Sequence, residues 1–312
     1  MSKYLVTGGA GFIGSNIVVR LVERGDGVRV LDNFSTGRRG NLEGLENELE
    51  VIEGDMRSYH IVREAVDGVD YVLHQGALPS VPRSIRDPIT SMEVNVNGTL
   101  HILDAAVSAG VKRVIYASSS SIYGNSMSLP KSEDMKPDPK SPYATSKLAG
   151  EHYCRVFTEI YGLETVCLRY FNVFGPHQDP TSQYSAVIPK FIRSLQERTQ
   201  PTIYGDGTQS RDFTYVANIV AANLLACTAP DITGETLNIA CGQRHTLLDL
   251  VAALNEIMGT DIEPLFAEPR QGDVLHSHAS IEKAQAKLGY ATDVDFPEGL
   301  ARTVAYYEEA KH

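Results

Sequence analysis

The chain has 312 residues, 42% hydrophobic and 21% charged, enough for a sizeable core in one large domain or two smaller ones. A net charge of -11 argues against nucleic-acid binding, which needs a basic patch, although local Arg residues and helix N-termini still suit an anionic ligand. Cys154, Cys167, Cys227 and Cys241 form no C-x-x-C pair, and no apolar run is long enough for a bilayer. We therefore expect reduced cysteines, no metal site, no membrane span and a cytoplasmic location.

Met1 leads straight into an apolar strand, Tyr4-Leu5-Val6, with no signal peptide before it. An amphipathic stretch from Ser15 to Arg24, closed by Gly25, predicts the first helix. Strands follow at Val28–Leu31, Val51–Glu53, Tyr71–His74, Val114–Ala117 and Thr165–Arg169, with helices expected near 58–67, 92–109 and 142–161. Ser141 and Pro142 suit the start of the last helix and Gly162 its end. The alternation predicts an α/β fold, a doubly wound parallel sheet of Rossmann type with helices on both faces. Beyond residue 170 the pattern loosens. A helix is expected over 186–198, and the run Phe213–Val216 leads into another helix near 217–228. We read a dinucleotide domain formed by 1–170 plus about 212–240, and a smaller mixed α/β lobe formed by about 171–211 plus 241–312.

Gly8-x-x-Gly11-x-x-Gly14 lies between the first strand and the first helix, where glycines permit a tight turn and close approach to a pyrophosphate. Asp32 ends the second strand. Its carboxylate suits ribose hydroxyls and repels a 2′-phosphate, which favours NAD over NADP, with Arg38 and Arg39 pulling slightly the other way.

Ser119 and the pair Tyr143-x-x-x-Lys147 point to proton transfer accompanying hydride transfer. With 15 Tyr and 10 Lys in the chain, chance alone yields roughly 0.5 such pairs. Tyr307 and Lys311 match as well, and we expect them to form a solvated helix end. Tyr143 and Lys147 differ in lying on the first turns of a helix, on one face. A phenol active near neutrality needs its pKa lowered by roughly 3 units, and a neighbouring ammonium and a cationic nicotinamide both act in that direction.

With these motifs the chain resembles the extended short-chain dehydrogenase/reductase family, in particular its UDP-hexose 4-epimerases. The resemblance spans nearly the whole sequence through Gly54-Asp55-Met56-Arg57, His74-Gln75-Gly76-Ala77, Asn95-Val96-Asn97-Gly98-Thr99, Ser118 to Gly124, Ser141 to Lys147 and Arg169 to Pro176. It implies NAD as cofactor, held by Gly8, Gly11, Phe12, Ile13, Gly14, Asp32, Asn33, Ser35, Thr36, Gly37, Asp55, Met56, Gln75, Ala77, Asn95, Tyr143, Lys147 and Tyr170. It implies catalysis by Ser119, Tyr143 and Lys147, inverting C4 of a UDP-sugar through a 4-keto intermediate. Many members carry Lys where this chain has Pro79.

The resemblance also implies that Ser80, Ser119, Ser120, Ser121, Tyr143 and Asn172 face the substrate, that Ala186, Val187 and Tyr204 lie near uracil, and that Arg211, Arg270 and Asp273 hold the diphosphate and ribose. Ser277 would border the sugar C2 substituent, and its small side chain admits an N-acetyl group. The run Ser80 to Pro88 resembles the acetyl-sugar branch. Uronate epimerases tend to carry Thr and Arg in place of Asn172 and Asp179, so a UDP-glucuronate epimerase is the less favoured alternative. Similar 4,6-dehydratases have an acidic pair where this chain has Ser120 and Ser121. A non-catalytic NAD-sensing scaffold is disfavoured by the intact Ser119, Tyr143 and Lys147. Relatives of this kind are commonly homodimers joined through the helices near 92–109 and 142–161.

Overall fold

In the computed structural model, which describes residues 1–179, 186–269 and 275–309, the short apolar runs form one parallel sheet. Its strands are β1 (Lys3–Thr7), β2 (Gly27–Asp32), β3 (Leu49–Glu53), β4 (Tyr71–His74), β5 (Arg113–Ser119) and β6 (Glu164–Tyr170). Across the sheet they run β3-β2-β1-β4-β5-β6, and a seventh strand, Thr236–Ile239, completes it beside β6. Leu5, Val30, Val72, Ile115 and Leu168 are wholly buried, as expected when helices cover both faces of a sheet.

The helices among the first 230 residues are α1 (Phe12–Glu23), α2 (Tyr59–Val66), α3 (Val81–Arg86), α4 (Pro88–Met92), α5 (Gly98–Ala109), α6 (Pro142–Tyr161), α7 (Val187–Gln196) and α8 (Val216–Thr228). Ile17 and Leu21 of α1 share one core with Ile219 and Ala222 of α8. Val62 of α2, Ile102 of α5 and Phe157 of α6 share the core on the opposite face. Strand order reverses between β1 and β4, so a crevice opens at the C-terminal ends of those strands.

The helix expected over 92–109 is present, starts earlier, at Pro88, and carries a π-helical turn within it. Asp87 caps α4 by accepting from the Thr90 amide, Pro88 occupies the first turn, and Glu93–Asn97 form a π-helical turn before α5 begins. By contrast α6 starts and stops where its sequence predicts. The Ser141 hydroxyl accepts from the Ala144 amide at 3.1 Å, and Gly162 closes the helix at φ 71°.

A third core, built on Phe174, Phe191, Phe213, Leu250 and Phe296, fills the second lobe. Two expectations are corrected by the structure. Residues 282–290 do not stay with that lobe: Ala284, Leu288 and Tyr290 pack into the sheet core beside α8, and the Tyr290 hydroxyl donates to the Ala240 carbonyl at 2.9 Å. Tyr307 is not at a solvated helix end either. It is buried in the third core, and its hydroxyl donates to the Gln178 carbonyl. The apolar face of the helix Phe296–Glu309 outweighed its charged C-terminal composition. Lys311 lies outside the described residues.

Gly150 sets how closely α6 approaches β5. A Cβ there would lie 2.2 Å from the hydroxyl oxygen of Tyr116, which is itself buried. Gly150→Ala gains some helix propensity, but overpacking dominates. We expect stability to fall by about 1–3 kcal/mol, read as a lower urea midpoint at unchanged slope. A midpoint equal to that of the parent protein would contradict this packing.

Candidate active site

The crevice at the strand reversal is a cavity of ≈ 1060 Å³. One end is the glycine loop. Gly8 has φ +66°, and a Cβ on Gly14 would lie 2.1 Å from the Gly8 carbonyl oxygen, so the turn tolerates no side chain at either place. Gly11 precedes α1 without a capping side chain, and the first turn of α1 carries no acidic residue. The helix therefore presents free amides and a positive dipole end to the cavity. Asp32 receives the Ala10 amide at 3.0 Å and the Phe34 amide at 2.8 Å, while burial pushes its carboxyl pKa up. The glycine cradle, open helix end and carboxylate fit a dinucleotide with a free ribose 2′-hydroxyl.

The residues expected at the cofactor divide clearly. Gly8, Gly11, Phe12, Ile13, Gly14, Asp32, Asn33, Ser35, Thr36, Gly37, Asp55, Met56, Gln75, Ala77, Tyr143, Lys147 and Tyr170 all line the cavity. Asn95 does not. It is buried in the π-helical turn, accepting from the Leu78 amide at 2.7 Å and donating to the Ser146 hydroxyl at 3.1 Å. It holds the wall at Leu78 rather than facing the cavity. A second support runs from Thr99 through the His74 ring to Thr7, whose hydroxyl accepts from the Gly76 amide at 3.1 Å. Burial and the Lys147 charge lower the His74 pKa to about 3, so this ring is a neutral strut.

At the other end, α6 brings Tyr143 and Lys147 against the C-terminal end of β5. The Lys147 ammonium donates to the Ala117 carbonyl at 2.8 Å and lies 5.1 Å from the centre of the Tyr116 ring. Burial lowers its pKa to about 8. Burial raises the Tyr143 phenol pKa, and the nearby Ser119 hydroxyl, which favours the phenolate, offsets this only in part. The lowering expected from the neighbouring ammonium is not among the influences on the phenol in the protein alone, where desolvation dominates.

On the substrate side, Ser119 also accepts from the Ser121 amide at 3.2 Å and opens the short turn Ser120–Tyr123. The Ser121 hydroxyl oxygen is buried without a hydrogen-bond partner within the protein, as expected of a group that meets a ligand. Ser80 caps α3, accepting from the Arg83 amide. Asn172 has φ +35° and donates to the Ser277 hydroxyl, 105 residues away, at 3.2 Å. Ala186 lines the cavity, Val187 begins α7, and Tyr204 ends the short strand Thr202–Tyr204, partly exposed. Arg211 donates to the Ser210 and Leu275 carbonyls at 3.0 Å each. Arg270 and Asp273 lie outside the described residues.

Sequence reasoning missed three features. Arg83 on α3 lines the cavity four residues beyond Pro79, offering a cation where a Lys is commoner. Asp212 is wholly buried, and its carboxylate accepts the amides of Cys241, Gly242 and Ala279, tying together the loops that flank Arg211 and Ser277. Its backbone partners leave no mark in sequence, although its place beside Arg211 hinted at it. Glu151, one turn beyond Lys147, is buried with Arg169. Asp179, expected to repel a sugar carboxylate, is ion-paired with Arg38 at 2.5 Å, which blunts that argument. Among the described residues no cluster of His, Cys, Asp or Glu could hold a metal ion, and no helix is long and apolar enough to cross a membrane.

Known proteins share this arrangement. Residues 4–240 match the model of the NAD dependent epimerase/dehydratase family. A UDP-glucose 4-epimerase of Mycolicibacterium smegmatis is 37% identical over 314 residues, covering 98% of both chains. A UDP-N-acetylglucosamine 4-epimerase from Methanobrevibacter ruminantium, solved in complex with UDP-N-acetylmuramic acid, superposes with a TM-score of 0.95 at 38% identity, covering 99% of both chains. A Thermus thermophilus UDP-glucose 4-epimerase, solved as a complex with NAD, gives a TM-score of 0.89 at 37% identity, again covering 99% of both. With its sheet order, glycine loop and Ser119–Tyr143–Lys147 constellation, this chain belongs to the NAD dependent epimerase/dehydratase family.

Proposed function

We propose that this protein is an NAD-dependent UDP-sugar 4-epimerase, acting on UDP-glucose and UDP-galactose and also on UDP-GlcNAc and UDP-GalNAc. The observation that carries the reading is the meeting of Tyr143 and Lys147, with Ser119 at the adjoining end of β5, at one end of a cavity whose other end is built for a dinucleotide. The epimerases that this chain resembles by sequence and structure support the same activity. We assign the sheet-bearing portion of the chain to the cofactor and the lobe around Asn172, Arg211 and Ser277 to the nucleotide sugar.

Bound NAD supplies a hydride acceptor at sugar C4 that later returns what it received. The protein moves the proton. Tyr143 takes it from the C4 hydroxyl, directly or through Ser119, and gives it back after inversion. Lys147 favours the phenolate, and a cationic ring in the site adds to that bias. The 4-keto sugar turns about its diphosphate between the two transfers, so Arg211 anchors the handle while contacts to the sugar itself stay few. Ser277 is small and tethered to Asn172, which leaves room for an acetamido group at C2.

We further infer a homodimer joined through α5 and α6, which fits the exposed Val156 and Ile160 on α6. Cytoplasmic residence fits the four unpaired cysteines.

Tyr143→Phe is expected to retain NAD and to lose about 10²–10⁴-fold in kcat, assayed with UDP-galactose. Near-normal turnover would refute the catalytic assignment. Because burial brings the Lys147 pKa to about 8, the ammonium is present below that pH and lost above it. We therefore expect kcat to fall as pH rises through about 8, and a profile flat to pH 10 would contradict this assignment. Ser277→Tyr should cut catalytic efficiency with UDP-GalNAc at least about tenfold more than with UDP-galactose. Equal losses would remove Ser277 from specificity.

A further inference from the structure

Beneath the catalytic pair lies a second set of charges with no part in proton transfer. Glu151 is on α6, one turn beyond Lys147, and Arg169 is on β6. They are 7% and 4% exposed, and Lys147 is 4% exposed. Arg169 grips both carboxylate oxygens of Glu151, Nε to Oε1 at 2.9 Å and Nη2 to Oε2 at 2.8 Å. The Ser118 hydroxyl, next to Ser119, donates to Oε1 as well. The third guanidinium nitrogen donates to the Tyr123 hydroxyl at 2.8 Å, which in turn donates to Asn238 Oδ1 at 2.7 Å. Every arm of the pair is therefore occupied.

The i,i+4 relation would ordinarily let Glu151 pair with Lys147. The structure shows otherwise, since the ammonium donates to the Ala117 carbonyl while Arg169 holds the carboxylate. The two cations and one anion leave a single net positive charge in this buried region, which one phenolate would neutralise. Burying such a pair brings little stability of its own, so its placement calls for another reason.

We propose that Arg169 and Glu151 are positioning residues for the catalytic pair: Arg169 occupies the Glu151 carboxylate and so leaves the Lys147 ammonium on the Ala117 carbonyl, one helical turn from Tyr143 and unpaired with that carboxylate. Other titratable groups around these residues are His74 on β4, Tyr116 on β5, Cys154 on α6, Cys167 on β6, and Tyr123 with Glu133 beyond it. His74 is neutral, the Cys167 thiol is held protonated by its hydrogen bond to Cys154 and by burial, and burial does the same for Tyr116, so Glu151 and Arg169 are the groups whose charges can tilt the site.

The proposal rests on the epimerase reading for the role of Tyr143, but its test does not depend on turnover. In the NAD-loaded protein, Tyr143 ionisation is read as tyrosinate absorbance, taking the difference between each protein and its Tyr143→Phe counterpart. Arg169→Gln frees Glu151 to capture Lys147, and the apparent pKa of Tyr143 should rise by about one unit or more. Glu151→Gln leaves Arg169 unpaired, and the value should fall. The double variant Glu151→Gln/Arg169→Gln restores charge balance and should return to within about half a unit of the parent. Arg169→Lys, which keeps the charge, should shift it less than Arg169→Gln.

Single shifts of the same sign, folded single variants that titrate like the parent, or a double variant displaced by more than about half a unit would each overturn the proposal. Melting curves identify variants that fail to fold. If both single variants do, the double variant and Arg169→Lys decide the matter by the same criteria. A parent protein that turns over no UDP-sugar would refute the epimerase reading and leave the titration result standing.

Discussion

A lysine ammonium removed from water loses solvation worth several kcal/mol unless the protein replaces it, and the site is organised around the replacement that Lys147 finds. One backbone carbonyl, at Ala117, and the face of Tyr116 provide part of it. Those groups sit where they do because Gly150 lets α6 close on β5 and because Ser141 and Pro142 fix where α6 begins. The charge is left partly uncompensated, as its lowered pKa shows. Tyr143, one turn earlier on the same helix, is the neighbouring group able to respond by ionising. Burial holds the phenol pKa up in the protein alone, and a further cation in the site would favour the phenolate.

The sheet contributes the second constraint. Reversal of strand order between β1 and β4 opens the crevice, and the Thr99–His74–Thr7–Gly76 chain of hydrogen bonds holds its floor. Asn95 does the same for the adjacent wall. Beyond residue 170 polar side chains tie separate segments together: Asp212 gathers three amides, and Asn172 donates to the Ser277 hydroxyl. Distant segments of the chain are thus held together by polar contacts, and the further sheets among the described residues are two-stranded.

The dinucleotide half of this arrangement was legible in the sequence. Buried parallel strands write themselves as unbroken apolar runs, and a glycine with no room for a Cβ, such as Gly14, signals its position directly. The caps of α6 were equally plain. The other half was not, for physical reasons. Its strands Ser210–Arg211 and Thr214–Tyr215 are two residues long, too short for any periodicity. Ala284 and Leu288 return to the first core across a sequence gap that no local pattern records. The early start at Pro88 and the π-helical turn at Glu93–Asn97 left no mark in a helix whose composition read as uniform. Tyr307 shows that a charged flank hides a buried face. Glu151 went unnoticed because its partner lies on another element, and an acidic residue on a helix ordinarily implies only a solvated surface.

The central claim is that C4 of the sugar is oxidised and reduced in place while its oxygen stays attached. The direct measurement uses UDP-galactose carrying deuterium and oxygen-18 at C4, with the UDP-glucose formed read by mass spectrometry and NMR. The account predicts that both labels remain at C4 and that none of the carbon-bound hydrogen comes from solvent. Loss of the deuterium to water would indicate inversion by simple proton abstraction, and loss of the oxygen label would indicate cleavage of the carbon–oxygen bond. Either result would contradict a mechanism in which Tyr143, biased by Lys147, moves only the hydroxyl proton.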